Sequence, residues 1–244
     1  MIIPAPQDAL HKAWMYRLLS AIYDEPVLAT LLYFKGGTCA AMLGWLDRFS
    51  IDLDFDFVGS KSELPEARAA LERIFSHLGL TVKDYSKRGL QYFLKYPGKL
   101  EFRNTLKIDV TFPPPASNQY DTVQCSEIDR VITAQTRETM FANKLVALMD
   151  RHTKTGGIAG RDLYDIHQFL VQGFGYNEAV ITERTGMEPK QFFEKLVAFI
   201  DHTITDTIIS QDLNPLLPPA TFQSIRKTLR SETLALLRDL IRSL

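Results

Sequence analysis

At 244 residues, 45% hydrophobic and 23% charged, the chain holds enough apolar material for one large domain or two lobes. A formal net charge of −1 gives no global attraction to nucleic acid and leaves only a local basic patch as a route to it. The two cysteines, Cys39 and Cys125, are too few for a disulfide framework and fit no zinc spacing, so both read as reduced thiols of a cytoplasmic protein. Pro4, Pro6 and Asp8 interrupt the apolar run that a secretory segment needs. No uncharged apolar stretch reaches the roughly 18 residues of a membrane span.

The spacing predicts an amphipathic helix over 8–24, with Asp8 as N-cap and Leu10, Trp14, Leu18 and Ile22 on its apolar side. Leu31, Leu32, Tyr33 and Phe34 read as a buried strand running into Lys35-Gly36-Gly37-Thr38. A helix from Cys39 to about Asp47 follows. Gly36-Gly37 permits backbone conformations and close approach that a Cβ would block, and at a helix entry it offers N–H groups to an anion. A plain turn is the commoner explanation of a lone Gly-Gly.

The stretch Arg48-Phe49-Ser50-Ile51-Asp52-Leu53-Asp54-Phe55-Asp56-Phe57-Val58 alternates apolar and acidic residues. That period puts Ile51, Leu53, Phe55 and Phe57 on one face of a strand and three carboxylates on the other. Aspartate is depleted in strands, and like charges on one face repel, so something must offset the cost. A divalent cation fits, because Mg²⁺ is held by a few carboxylates plus substrate phosphates. The alternative is an edge strand with its polar face in water.

A charged amphipathic helix over 63–78 places Ala67, Leu71, Ile74 and Leu78 inward. Strands over 80–85 and 90–96 flank a hairpin turn at Ser86-Lys87-Arg88-Gly89. In Thr105–Phe112, Asp109 alternates with Ile108 and Val110. Three carboxylates converge if this strand lies beside the Asp52–Asp54 strand; otherwise Asp109 is a single solvated acid. Pro113-Pro114-Pro115 is expected to end the sheet.

The remainder is helical in pattern. Thr136 or Thr133 can cap a helix to about Arg151, buried along Phe141, Leu145 and Leu148, with Lys144 and Arg151 sharing a face. A solvated face is the usual explanation of two such cations. A loop over 152–160 precedes a helix at Arg161, whose Asp162 and Asp165 have an ordinary explanation as acids near a helix start. Further helices are expected at 177–184, 189–202 and 220–243, with a linker over 214–219.

Taken in this order, the signals resemble the AbiEii/AbiGii nucleotidyltransferase toxins, a family that includes MenT-type toxins and belongs with the polymerase-β-like transferases. The resemblance rests on Gly36-Gly37-Thr38, Arg48-Phe49-Ser50-Ile51-Asp52-Leu53-Asp54-Phe55 and Asp109 in Lys-Ile-Asp-Val. It also rests on Lys144-Leu145-Val146-Ala147-Leu148-Met149-Asp150-Arg151 and Arg161-Asp162-Leu163-Tyr164-Asp165. The interval from Gly37 to Asp52 is about one residue longer than the generic transferase motif, which implies an irregular turn in the helix between, and Asp56 is an extra acid read as peripheral.

The resemblance implies an α+β fold. A mixed-sheet nucleotidyltransferase core flanked by helices would occupy 1–125, and a helical lobe over 126–244 would complete the active-site cleft. It implies transfer of a nucleoside monophosphate from an NTP, with Mg²⁺ (or Mn²⁺) held by Asp52, Asp54 and Asp109. Gly36, Gly37, Thr38 and Ser50 would meet phosphate, and Lys144 would offset triphosphate charge. Arg48, Arg151 and Arg161 would be secondary contacts, and Asp162 would orient Lys144 or act as a base. Implied partners are a tRNA acceptor and an antitoxin encoded nearby, in a toxin–antitoxin or phage-defence module. Lys83, Lys87, Arg88, Lys95, Lys99 and Arg103 form a possible basic strip, or serve only solubility. A small-molecule or protein acceptor, and a non-catalytic binding module, are the other readings.

Overall fold

The computed structural model describes residues 6–98 and 103–244, with the side chains of residues 6 and 7 left out. Pro4 and Lys99 lie outside the described residues. The chain divides into two compact units: Met1–Pro114 with Tyr120–Gln135, and Pro115–Gln119 with Thr136–Leu244.

The first unit is built on a seven-stranded mixed sheet. Its strands are β1 (Leu32–Lys35), β2 (Asp52–Phe57), β3 (Thr81–Tyr85), β4 (Tyr92–Lys95), β5 (Thr105–Thr111), β6 (Tyr120–Cys125) and β7 (Arg130–Gln135). They lie in the order β3-β4-β5-β2-β1-β7-β6. β2 runs antiparallel to β1 and parallel to β5. The alternation of β2 sorts as its period demands: Leu53, Phe55 and Phe57 are fully buried. Each such burial contributes about 2 kcal/mol, which sets the strand's face and register.

Helices α1 (Pro6–Asp24), α2 (Pro26–Leu31) and α4 (Leu64–His77) belong to this unit, as does the short α3 (Gly36–Met42). α1 starts at Pro6, so Asp8 is a first-turn acid rather than the N-cap. Its inward stripe is His11, Met15, Leu18 and Ile22, whereas Leu10 is exposed. A four-residue step drifts around a helix of 3.6 residues per turn, and the mixed step of four and three keeps to one face. α2 lies outside the elements expected from the sequence; Pro26 sits at its first helical position, where a missing N–H costs nothing.

α3 ends at Met42, well short of Asp47. Gly44 adopts φ +77°. Its N–H donates to Ala41 O at 3.2 Å while Trp45 N–H donates to Ala40 O at 2.8 Å. This is the left-handed termination that closes a helix at a glycine, and it supplies the irregular turn that the long Gly37–Asp52 interval required.

The expectation that Pro113–Pro115 ends the sheet is corrected. The prolines end β5, but the chain returns to the sheet as the β6–β7 hairpin, and β7 pairs in parallel with β1. A boundary between 125 and 126 would separate these two strands; the division falls after Gln135.

The second unit is helical: α5 (Arg137–Thr155), α6 (Gly160–Val171), α7 (Glu178–Thr185), α8 (Pro189–Thr203), α9 (Asp206–Leu213), α10 (Pro219–Ile225) and α11 (Leu229–Ser243). The Thr136 side chain caps α5 by accepting from Thr139 N–H. Phe141, Leu145 and Leu148 are fully buried, as their spacing requires. α6 packs against α5, α9 and α11. The helix expected over 220–243 is two helices, α10 and α11, and α9 was not foreseen. No described helix is long and apolar enough to cross a membrane.

Candidate active site

In the sheet unit the polar face of β2 meets β5 in register. Asp54 is the direct partner of Asp109, and Asp52 is the partner of Lys107. Opposed residues on neighbouring strands share a face and bring their Cβ atoms within about 5 Å. Asp52 lies two residues from Asp54 on that face. All three carboxylates are half-buried. Asp109 accepts from Lys107 Nζ and from Gln91 Nε2, the latter at 3.2 Å. Neither partner was singled out in the sequence, although Lys107 alternates with Asp109 and so had to share its face.

The glycine turn sits against these acids. Gly36 has φ +81°, and a Cβ there would come within 2.9 Å of Asp54 Cβ. A Cβ on Gly37 would meet Arg48 Nη2 at 2.6 Å and Ser50 Oγ at 3.1 Å. Gly36, Gly37, Arg48, Ser50 and Asp54 are therefore one cluster. Arg48 is buried and donates to Phe49 O at 3.1 Å. The Thr38 hydroxyl donates to the Asp52 backbone carbonyl, so its proton is committed to tying α3 to β2.

Asp56, the extra acid, is held differently from the other two acids of β2. It is fully buried, with Lys35 Nζ at 2.6 Å from Oδ1. Its Oδ2 accepts from the Tyr120 hydroxyl at 3.0 Å and from Gln135 Nε2 at 2.7 Å. Those donors stand on β6 and β7, the strands that the sequence reading did not see.

In the helical unit, Lys144 on α5 lies 2.7 Å from Asp165 Oδ2 and 3.4 Å from Asp162 Oδ1, both on α6. Arg151 Nη2 stands 3.2 Å from Asp162 Oδ2. That contact is an ion pair without an aligned hydrogen bond to Oδ2. Both acids are buried, which excludes the solvated-face reading of Lys144 and the helix-start reading of Asp162 as complete explanations. Asp165, which closes the Arg-Asp-x-x-Asp run, is the nearer counterion. Arg161 is half-buried in the first turn of α6.

Among the described residues, no group of three or more His, Cys, Asp or Glu is arranged to hold a metal unaided. A concavity of about 910 Å³ lined by Tyr16, Arg73, His77 and Glu127 contains none of these carboxylates. The oxygen-only donor set of Asp52, Asp54 and Asp109 is hard and incomplete, which suits a cation that takes its remaining ligands from phosphate or water.

The model of the nucleotidyl transferase AbiEii toxin family, of type IV toxin–antitoxin systems, matches residues 17–236. The chain belongs to this family. It is accordingly a nucleotidyltransferase, and an NTP is its substrate. The AbiEii chain also shares its fold with two solved structures. JHP933 from Helicobacter pylori is 18% identical at TM-score 0.62, over 99% of this chain and 95% of that one. MenT4, a nucleotidyltransferase toxin from Mycobacterium tuberculosis, is 18% identical at TM-score 0.54, over 96% of this chain and 84% of that one. No curated protein sequence matches the chain.

Proposed function

We propose that this AbiEii protein transfers a nucleoside monophosphate from an NTP to the 3′ end of tRNA in a Mg²⁺-dependent (or Mn²⁺-dependent) reaction, as the toxin of a module with an antitoxin encoded nearby. The observation that carries the reading is the register of Asp54 with Asp109, with Asp52 on the same face and the Gly36-Gly37 turn packed on Asp54.

Asp52, Asp54 and Asp109 would hold the divalent cation, which when bound neutralises triphosphate charge and orients it for in-line displacement. The acceptor hydroxyl oxygen forms a bond to the α-phosphorus, the bond to the bridging oxygen breaks, and pyrophosphate leaves. Asp109 would take the hydroxyl proton, once Lys107 releases its carboxylate or turns to phosphate. Backbone N–H groups of Gly36 and Gly37, the Ser50 hydroxyl and the Arg48 guanidinium are the phosphate donors of the sheet unit. Thr38 is assigned to holding β2 rather than to phosphate.

Lys144 is assigned to the triphosphate, with Arg151 and Arg161 as secondary contacts. Its pairing with Asp165 and Asp162 supports an orienting role for Asp162 over a role as base. For the acceptor, Lys83, Lys87, Arg88, Lys95 and Arg103 are all exposed. Lys61, Arg68, Lys87 and Arg88 line a concavity of about 360 Å³ with Glu72 as its acid. Such a basic edge suits phosphate-backbone contact.

The test is incubation of the purified protein with each α-³²P-labelled NTP, Mg²⁺ and total tRNA, resolved on a denaturing gel. Label on tRNA that disappears with Asp52→Ala is the expected result. Label on protein or small molecules alone would sink the tRNA assignment and leave the transfer chemistry standing.

A further inference from the structure

Two lysines stand on the same sheet face as the carboxylates, and they behave differently. Lys107 is the strand partner of Asp52, and its ammonium lies on Asp109. Lys35 is the strand partner of Asp54, on β1. Its ammonium turns away along the face to Asp56 Oδ1 and Thr111 Oγ1, each at 2.6 Å. Asp56 can draw it there because its own position is set by Tyr120 and Gln135, and because a fully buried carboxylate without a cation would be costly.

We infer that Asp56 is a positioning residue: an internal counterion that keeps Lys35 off the Asp54–Asp109 pair and leaves that pair for a divalent cation. The inference rests on the metal-dependent reading given above. Lys107 is the control supplied by the fold itself. It shares the face, is paired with no fully buried acid, and its ammonium sits on Asp109, one of the three carboxylates. Without Asp56, Lys35 has Asp54 as its cross-strand neighbour, and a second ammonium would compete with the dication for the same oxygens. Asp56 thus acts on the site without touching it.

The experiment is Mn²⁺ titration of the full chain followed by electron paramagnetic resonance, without nucleotide, so that turnover plays no part. Asp56→Asn keeps the shape but weakens the hold on Lys35. Its Mn²⁺ dissociation constant is expected to rise about tenfold, as one unit charge moved beside a dication requires. The double variant Lys35→Met/Asp56→Asn removes both charges and is expected to return within about twofold of wild type, since that constant is set by the removed charge. Unchanged binding in Asp56→Asn overturns the inference. So does a double variant as weak as the single, because the loss would then be structural.

If Asp56→Asn does not fold, Lys35→Met alone decides. It should bind Mn²⁺ at least as tightly as wild type, and weaker binding refutes the role given to Asp56. Wild-type protein that binds no Mn²⁺ even beside a non-hydrolysable NTP overturns the metal-dependent reading itself, a failure distinct from unchanged binding in the variant.

Discussion

The acids of the sheet and the acids of α6 are the same residue type held in opposite ways. On the sheet, Asp52, Asp54 and Asp109 remain half-buried on a face open enough for outside ligands. On α6, the side chains of Asp162 and Asp165 are 4% and 0% exposed and are committed to Lys144 and Arg151. The first set stays partly open to solvent even where Lys107 reaches Asp109, and the second is closed off with its cations. A buried acid with an internal cation is a fixed counterion, whereas a half-exposed acid can exchange partners at small cost. Substitutions should therefore separate activity from stability in the sheet and couple them in the helices.

The sharpest break of that contrast is in the sheet. Asp52→Ala or Asp54→Ala is expected to lower transfer by about 10³-fold or more, since a lost metal-ligand set forfeits several kcal/mol at the transition state. The thermal midpoint should fall less than in Lys144→Ala, because Asp52 and Asp54 are half-buried acids sharing one face. Single-turnover rates and a melting curve on the same preparation check both halves. A large fall in the midpoint would show that the sheet acids are structural.

Lys144→Ala should lose more stability. It leaves Asp165 buried without its nearest cation, at a cost of about 3 kcal/mol, measured by urea unfolding. Loss of activity in that variant alone would be ambiguous. Lys144→Met/Asp165→Asn should recover most of the stability and stay inactive. A double variant with full activity would remove Lys144 from the reaction.

Gly36→Ala probes the hinge between backbone and acid. At φ +81° a Cβ is strained, and it would press on Asp54. The expected cost is about 1–3 kcal/mol by urea unfolding, with reduced transfer, while Gly44→Ala at a helix end with open space should lose stability without that loss of activity.

How far the sequence carried this site depends on how local each decision was. Period-two alternation in 51–57 settles which residues of β2 face together, and it does so again around Asp109. The pairing of those two strands is not a local property, and alternation alone leaves Asp109 equally readable as a single solvated acid. Asp56 shows the limit. By alternation it is equivalent to Asp52 and Asp54, and nothing within β2 says that it is buried. Its partners, Tyr120 and Gln135, come from strands that are hard to read. In β6, Tyr-Asp-Thr-Val-Gln-Cys is polar on both faces, as an edge strand can be, and it follows three prolines. Lys144 shows the same limit on helices. Spacing gives it a face, but only the packing of α6 on α5 decides that this face meets two acids rather than water.

The smallest effect expected comes from His11, which joins α1 to the residue before the first carboxylate. It is buried, with Nε2 donating to Ile51 O at 2.9 Å and Nδ1 3.0 Å from the Tyr96 hydroxyl. Burial is the chief cause holding its pKa below the usual value; Arg103 adds to it, while the Ile51 carbonyl, Asp52 and Asp8 oppose it. The folded chain therefore keeps His11 neutral where the unfolded chain takes a proton. Stability from this group is fully present above an unfolded pKa of about 6.5 and is lost as pH falls below it. The slope cannot exceed about 1.4 kcal/mol per pH unit for a single proton. His11→Gln should flatten the fall in urea midpoint between pH 7 and pH 5. An unaltered slope would assign that fall to groups other than His11.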